Sequence, residues 1–105
     1  MQTQFKKGVL DICVMALIAR HDMYGYEIVS ALVEYIDVTE STIYPILRRL
    51  TKEGYFTTYI QESNEGPARK YYQMTETGAT HYRTVAVEWQ TFTKAVQTLL
   101  EGEQA

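Results

Sequence analysis

Residues 41–50 read STIYPILRRL, from Ser41 to Leu50. Ile43, Leu47 and Leu50 recur at spacings of four and three, which marks one buried helical stripe, and Ile46 lies beside it. Ser41, Tyr44, Pro45, Arg48 and Lys52 fall on the opposite side, with Arg49 flanking them. A helix is expected over residues 40–53, entered from the turn Asp37-Val38-Thr39 with Thr39 as N-cap and stopped by Gly54. Pro45 is the anomaly, because proline lacks an N–H and clashes with the carbonyl four residues back. Here it lies in the first two turns, close to where helix N–H groups lack partners, and on the outward side where the Ser41 carbonyl can meet water. The expected product is a rigid, exposed, polar-aromatic turn leading into two arginines.

Upstream, residues 4–20 read as a helix that is apolar on nearly every side, hence buried all round. His21-Asp22-Met23 is a short connection. A second helix is expected over residues 24–35, with Ile28, Ala31, Leu32 and Tyr35 as its apolar stripe and Gly25 in its first turn. Downstream, residues 55–62 (YFTTYIQE) are rich in strand formers. A turn cluster, SNEGP at 63–67, separates them from a returning strand at 68–74 (ARKYYQM), so Arg69 and Lys70 stand just past the hairpin tip. Thr75 then caps a final helix over residues 76–100. Its apolar positions, Tyr82, Val85, Trp89, Phe92, Val96 and Leu99, follow spacings of 3, 4, 3, 4 and 3, an a/d seam. A lone helix projecting from a small domain would leave this seam wet, so a second copy is expected against it.

The chain has 105 residues, 46% apolar and 22% charged, which describes a globular chain and not a disordered one. A single cysteine allows no internal disulfide. The longest apolar run, Val9 to Ala19, is broken by Asp11 and is too short to span a membrane. Lys6 and Lys7 precede it, but no small-residue cleavage site follows, so a reduced cytoplasmic protein without a membrane partner is expected. The net charge is −3, yet residues 41–73 hold five basic and three acidic groups, a local charge of +2 on an otherwise acidic chain. No nucleophile–base pair, phosphate loop or paired-carboxylate signature appears, so no enzyme activity and no cofactor are expected. His21 and His81 lie far apart without Cys or carboxylate at ligand spacing, so no metal site is expected.

Three helices followed by a two-stranded hairpin make a winged helix-turn-helix, mainly α with a small β-hairpin, and here a long C-terminal dimerisation helix follows. In that fold the third helix enters the major groove of double-stranded DNA with its N-terminal residues leading, and the wing lies along the backbone. The residues carry a more specific likeness. FKKGVLDICVMALI at 5–18, DMYGYEIV at 22–29, ESTIYPILRRLTKEGY at 40–55 and GPARKYYQMTETG at 66–78 resemble the PadR family of bacterial transcriptional regulators, in order and at matching separations. Ala68 departs from the second proline often seen in that fourth block, which alters wing stiffness. The resemblance implies a homodimeric DNA-binding repressor of the short subfamily, with residues 1–74 as the DNA-binding domain and 75–105 as the dimerisation helix. Winged helices also serve as protein-interaction adaptors that bind no DNA, and the acidic total charge is that alternative's best argument.

Ser41, Thr42, Tyr44 and Pro45 are thus expected near bases or phosphates, and Arg48 and Lys52 near phosphates. Arg49 belongs to the same candidate set, with pairing inside the protein as its alternative. Arg69 and Lys70 are expected on phosphates at the wing. A plain solvated helix face is the alternative for the whole outward row. Tyr82, Val85, Trp89, Phe92, Val96 and Leu99 are expected in the dimer interface. Trp89 is a core aromatic on that reading. By resemblance to short-subfamily dimers, which hold planar drugs between facing C-terminal tryptophans, it is alternatively a stacking platform for a planar aromatic effector, with Phe92, Val85, Met15 and Cys13 lining the same space. A lone cysteine in an apolar helix is more simply a small hydrophobe than a redox switch.

Overall fold

The computed structural model describes residues 8–102. Among them run helix α1, Val9–Arg20; strand β1, Met23–Tyr24; helix α2, Gly25–Val33; helix α3, Glu40–Lys52; strands β2, Phe56–Gln61, and β3, Arg69–Met74; and helix α4, Glu76–Glu101. The fold is mainly helical with a small antiparallel sheet, a winged helix-turn-helix carrying a long C-terminal helix. The part of the first helix expected before residue 8 lies outside the described residues.

The core is one cluster. Leu10, Val14, Met15 and Ile18 come from α1, Ile28, Val29 and Leu32 from α2, and Ile43, Leu47 and Leu50 from α3. Met23, Phe56 and Tyr72 close it from the sheet, and Val38 plugs the turn before α3. The α3 stripe is the one expected, and its fully buried side chains contribute about 1.5–3 kcal/mol each. Two expectations fail around it. Helix α1 is not buried all round, since Ile12, Cys13 and Leu17 are only half-covered. Tyr35 stands 83% exposed, because α2 ends at Val33 and the N–H groups of Tyr35 and Ile36 turn back to the Leu32 carbonyl at 2.9 and 2.8 Å.

The sheet also differs from a plain hairpin. Met23 and Tyr24 pair with Tyr72 and Tyr71, giving three strands in the order β1-β3-β2. Sequence placed these two residues in a connection and a helix start, because two residues are too few to show alternation. Tyr24 instead forms the N-cap of α2, and its N–H is met by Glu27 Oε1 at 3.3 Å.

Gly54 ends α3 in the left-handed region, φ 89°, and turns the chain into β2. The start of α4 is clamped on that turn. The Thr75 N–H donates to the Tyr55 carbonyl at 3.1 Å, the Thr75 hydroxyl lies 2.7 Å from the Gly54 carbonyl, and the same oxygen accepts the Gly78 N–H at 2.9 Å. Gly78 passes so close that a Cβ there would collide with the Tyr55 carbonyl and the Met74 sulfur. From this clamp α4 runs 26 residues, about 39 Å at 1.5 Å per residue. The molecule measures 61 × 28 × 20 Å, the long dimension reflecting the projecting helix.

Candidate nucleic-acid interface

Helix α3 presents its polar side outward. Ser41, Thr42, Pro45, Arg48 and Lys52 are all exposed. Thr39 is the N-cap as expected, but its hydroxyl bonds sideways to the hydroxyls of Ser41 at 2.9 Å and Thr42 at 3.4 Å and not to a backbone N–H. Pro45 sits deeper in the helix than its place in the sequence suggests. The Ile43 N–H already closes on the Thr39 carbonyl at 3.1 Å, so the residue two positions on lies beyond the orphan N–H groups. The proline therefore leaves the Ser41 carbonyl without its helical donor, and exposure of both residues lets water take that place.

Tyr44 is half-buried. Its ring lies where a side chain on Gly25 would be, so α2 and α3 meet through a glycine and an aromatic ring. Burial, helped by the neighbouring Glu40 carboxylate, raises its phenol pKa. Among the described residues neither Arg48 nor Lys52 has an ion-pair partner, whereas Arg49 is engaged within the chain. Its guanidinium meets Asp11 on α1 at 2.7 Å and Glu53 at 3.8 Å. The Asp11 hydrogen bond is the largest influence holding the Arg49 pKa up. The internal pairing weighed for Arg49 is the arrangement found.

On the wing, Lys70 faces the same side of the sheet as Tyr72, its ammonium 5.8 Å from that ring. Arg69, one residue earlier, points to the opposite face and lies 4.7 Å over the Tyr24 ring.

A second feature lies between α1 and α4. A groove of about 410 Å³ is lined by Gly8, Val9, Asp11, Ile12, Met15, His81, Val85, Glu88, Trp89 and Phe92. Four of the five expected effector residues meet there: Trp89, Phe92, Val85 and Met15. Cys13 does not. At about 100° per residue, two positions on a helix lie on opposing sides, so Cys13 turns away from Met15's groove wall and packs against the core, where burial pushes its thiol pKa up. Sequence missed Asp11, Ile12, His81 and Glu88 in this wall, although heptad neighbours of Val85 and Trp89 on α4 would have pointed to His81 and Glu88. Tyr82, expected in the dimer seam, packs against the chain's own core, because the first turns of α4 are held down by the Thr75 clamp. Beyond them Phe92, Leu99 and Leu100 are 62%, 78% and 76% exposed.

A helix-turn-helix with its polar row facing out, followed by a wing that carries Arg69 and Lys70, defines the class as a winged helix-turn-helix. Residues 14–84 match the model of the Transcriptional regulator PadR-like family, and the chain belongs to that family, whose members are transcriptional regulators and not enzymes. Among solved structures it is similar to a PadR-like transcriptional regulator from Bacillus cereus, with 35% identity over 96% of this chain and 100% of the other, at a TM-score of 0.87. A Streptococcus transcriptional regulator is 33% identical, covering 93% of this chain and 98% of its own, at a TM-score of 0.83. The Bacillus subtilis PadR protein, solved in complex with operator DNA, is 26% identical over 75% of this chain and 47% of its own, at a TM-score of 0.68.

Proposed function

We propose that this chain is a cytoplasmic repressor that binds an inverted-repeat operator as a homodimer, residues 8–74 forming the DNA-binding part and α4 the dimerisation arm. The observation that carries the reading is the row Ser41, Thr42, Pro45, Arg48 and Lys52, exposed along α3, the helix that leads into the wing carrying Arg69 and Lys70. Ser41, Thr42 and Tyr44 stand at the leading end, where base edges are reached, and Arg48, Lys52, Lys70 and Arg69 supply phosphate contacts. Arg49 serves differently: tied to Asp11, it braces α3 against α1. The Bacillus subtilis relative's operator complex supports DNA as the partner. The exposed side chains of Trp89, Phe92 and Leu99 along α4 support a second copy as the other partner.

A gel shift with the duplex upstream of the chain's own gene, against a scrambled duplex, tests this reading. Preferential retention of the upstream duplex is expected, and equal or absent retention overturns it. The α1–α4 groove is read as the seat of a planar aromatic effector stacked on Trp89, facing the same groove of the second copy. Titrating such compounds should quench Trp89 and lower DNA affinity in step, because binding linkage is reciprocal. Quenching with unchanged DNA affinity would remove the regulatory part of the reading.

A further inference from the structure

The face of the sheet turned away from the core carries a connected row of side chains. Register sets Tyr24 opposite Tyr71 and Tyr71 opposite Tyr59, so three rings from three strands lie side by side. The Tyr71 ring is 5.5 Å from that of Tyr59, nearly parallel at 7°, and 5.5 Å from that of Tyr24, tilted by 58°. Asp22, in the link between α1 and β1, accepts from the Tyr59 hydroxyl at 2.6 Å and from Gln73 Nε2 at 3.2 Å. That hydrogen bond is the main reason the Tyr59 phenol is pushed up to about 12. At the other end of the row the Arg69 guanidinium lies over Tyr24.

The connectivity matters more than any one contact. A two-stranded ribbon by itself is marginal and free to twist. Asp22 reaches past the middle strand to Tyr59 on the outer one, so it ties the link before α2 to the far strand of the wing. A wing tied at that point keeps one inclination to α2, and through the Gly25–Tyr44 contact to α3. A guanidinium held over a ring keeps N–H groups available for bonds to a phosphate. It also loses less rotamer freedom on binding than an arginine waving in solvent.

We propose that Asp22, Tyr24, Tyr59 and Tyr71 are positioning residues for DNA binding, which fix the wing's inclination and hold Arg69 ready for a backbone phosphate. This rests on the wing reading above. The test measures affinity for the upstream duplex as a function of KCl concentration, with thermal melting in parallel. Arg69→Gln should flatten the salt dependence by about 0.9 for each phosphate left without its cation. Asp22→Asn, Tyr59→Phe and Tyr24→Leu should flatten it as well, with no further loss when Tyr24→Leu is combined with Arg69→Gln. Tyr24→Phe, which keeps the ring, should behave as wild type. Asp22 and Tyr59 lie on an open face, so their variants keep the fold and remain informative if Tyr24→Leu, at the cap of α2, does not. If Arg69→Gln flattens the salt slope while Asp22→Asn and Tyr59→Phe leave it at the wild-type value, the positioning role is wrong and the wing reading survives. If Arg69→Gln itself changes nothing, the wing contact fails and the positioning role falls with it.

Discussion

Single side chains on α3 divide by what they can reach. Tyr44 and Ser41 stand near the leading end, while Arg48 and Lys52 follow one and two turns later, where a helix in the major groove passes the backbone. Arg48→Ala or Lys52→Ala should weaken binding to the upstream and scrambled duplexes alike and lower the salt slope by about 0.9 per phosphate no longer neutralised. Tyr44→Ala should instead shrink the preference for the upstream duplex, and melting should register weaker packing over Gly25. Pro45→Ala restores an N–H facing the Ser41 carbonyl, so stability should stay level or rise. DNA affinity should drop, and a more stable variant with unchanged affinity would show that the proline plays no part in recognition. This outward row was legible in the sequence because helical periodicity separates it from Ile43, Leu47 and Leu50. The partner of Arg49 was not, since Asp11 lies 38 positions away and no local pattern joins them. The separation of Cys13 from Met15 was legible, since two helix positions apart means opposite sides.

Between elements, the firmest junction is the crossing of α4 over the turn after α3. Gly78 lies there against the Tyr55 carbonyl and the Met74 sulfur. The carbonyl cannot move without loosening the bond from the Thr75 N–H, so Gly78→Ala should destabilise by about 1–3 kcal/mol, the usual cost of overpacking, in urea unfolding. Sequence predicted the Thr75 cap, because threonine before a periodic run is a local signal. It gave no sign that the same hydroxyl reaches the Gly54 carbonyl at 2.7 Å, 21 positions back. Strand β1 was hidden for a related reason: its two residues owe their conformation to pairing with Tyr71 and Tyr72, far along the chain. The seam on α4 was legible as spacing, but spacing could not tell that its first member, Tyr82, packs half-buried against the chain's own core.

At the scale of the molecule, the body is small and the projecting arm is apolar. Trp89, Phe92, Leu99 and Leu100 together expose a stripe that a second copy would cover. Trp89→Glu or Val96→Glu would place a charge in that interface, where an unpaired buried charge is costly, so light scattering should show monomer where the wild type shows dimer. A wild type that is monomeric at micromolar concentration would rule the dimer out. In the proposed dimer, joined through α4, the two α3 helices would stand about one duplex turn apart, roughly 34 Å. Hydroxyl-radical footprinting on the duplex upstream of the chain's own gene tests it most directly. The predicted result is two protected patches related by two-fold symmetry, with centres about one helical turn apart over an inverted repeat. A single asymmetric patch, or no protection at concentrations where the protein is dimeric, would contradict it.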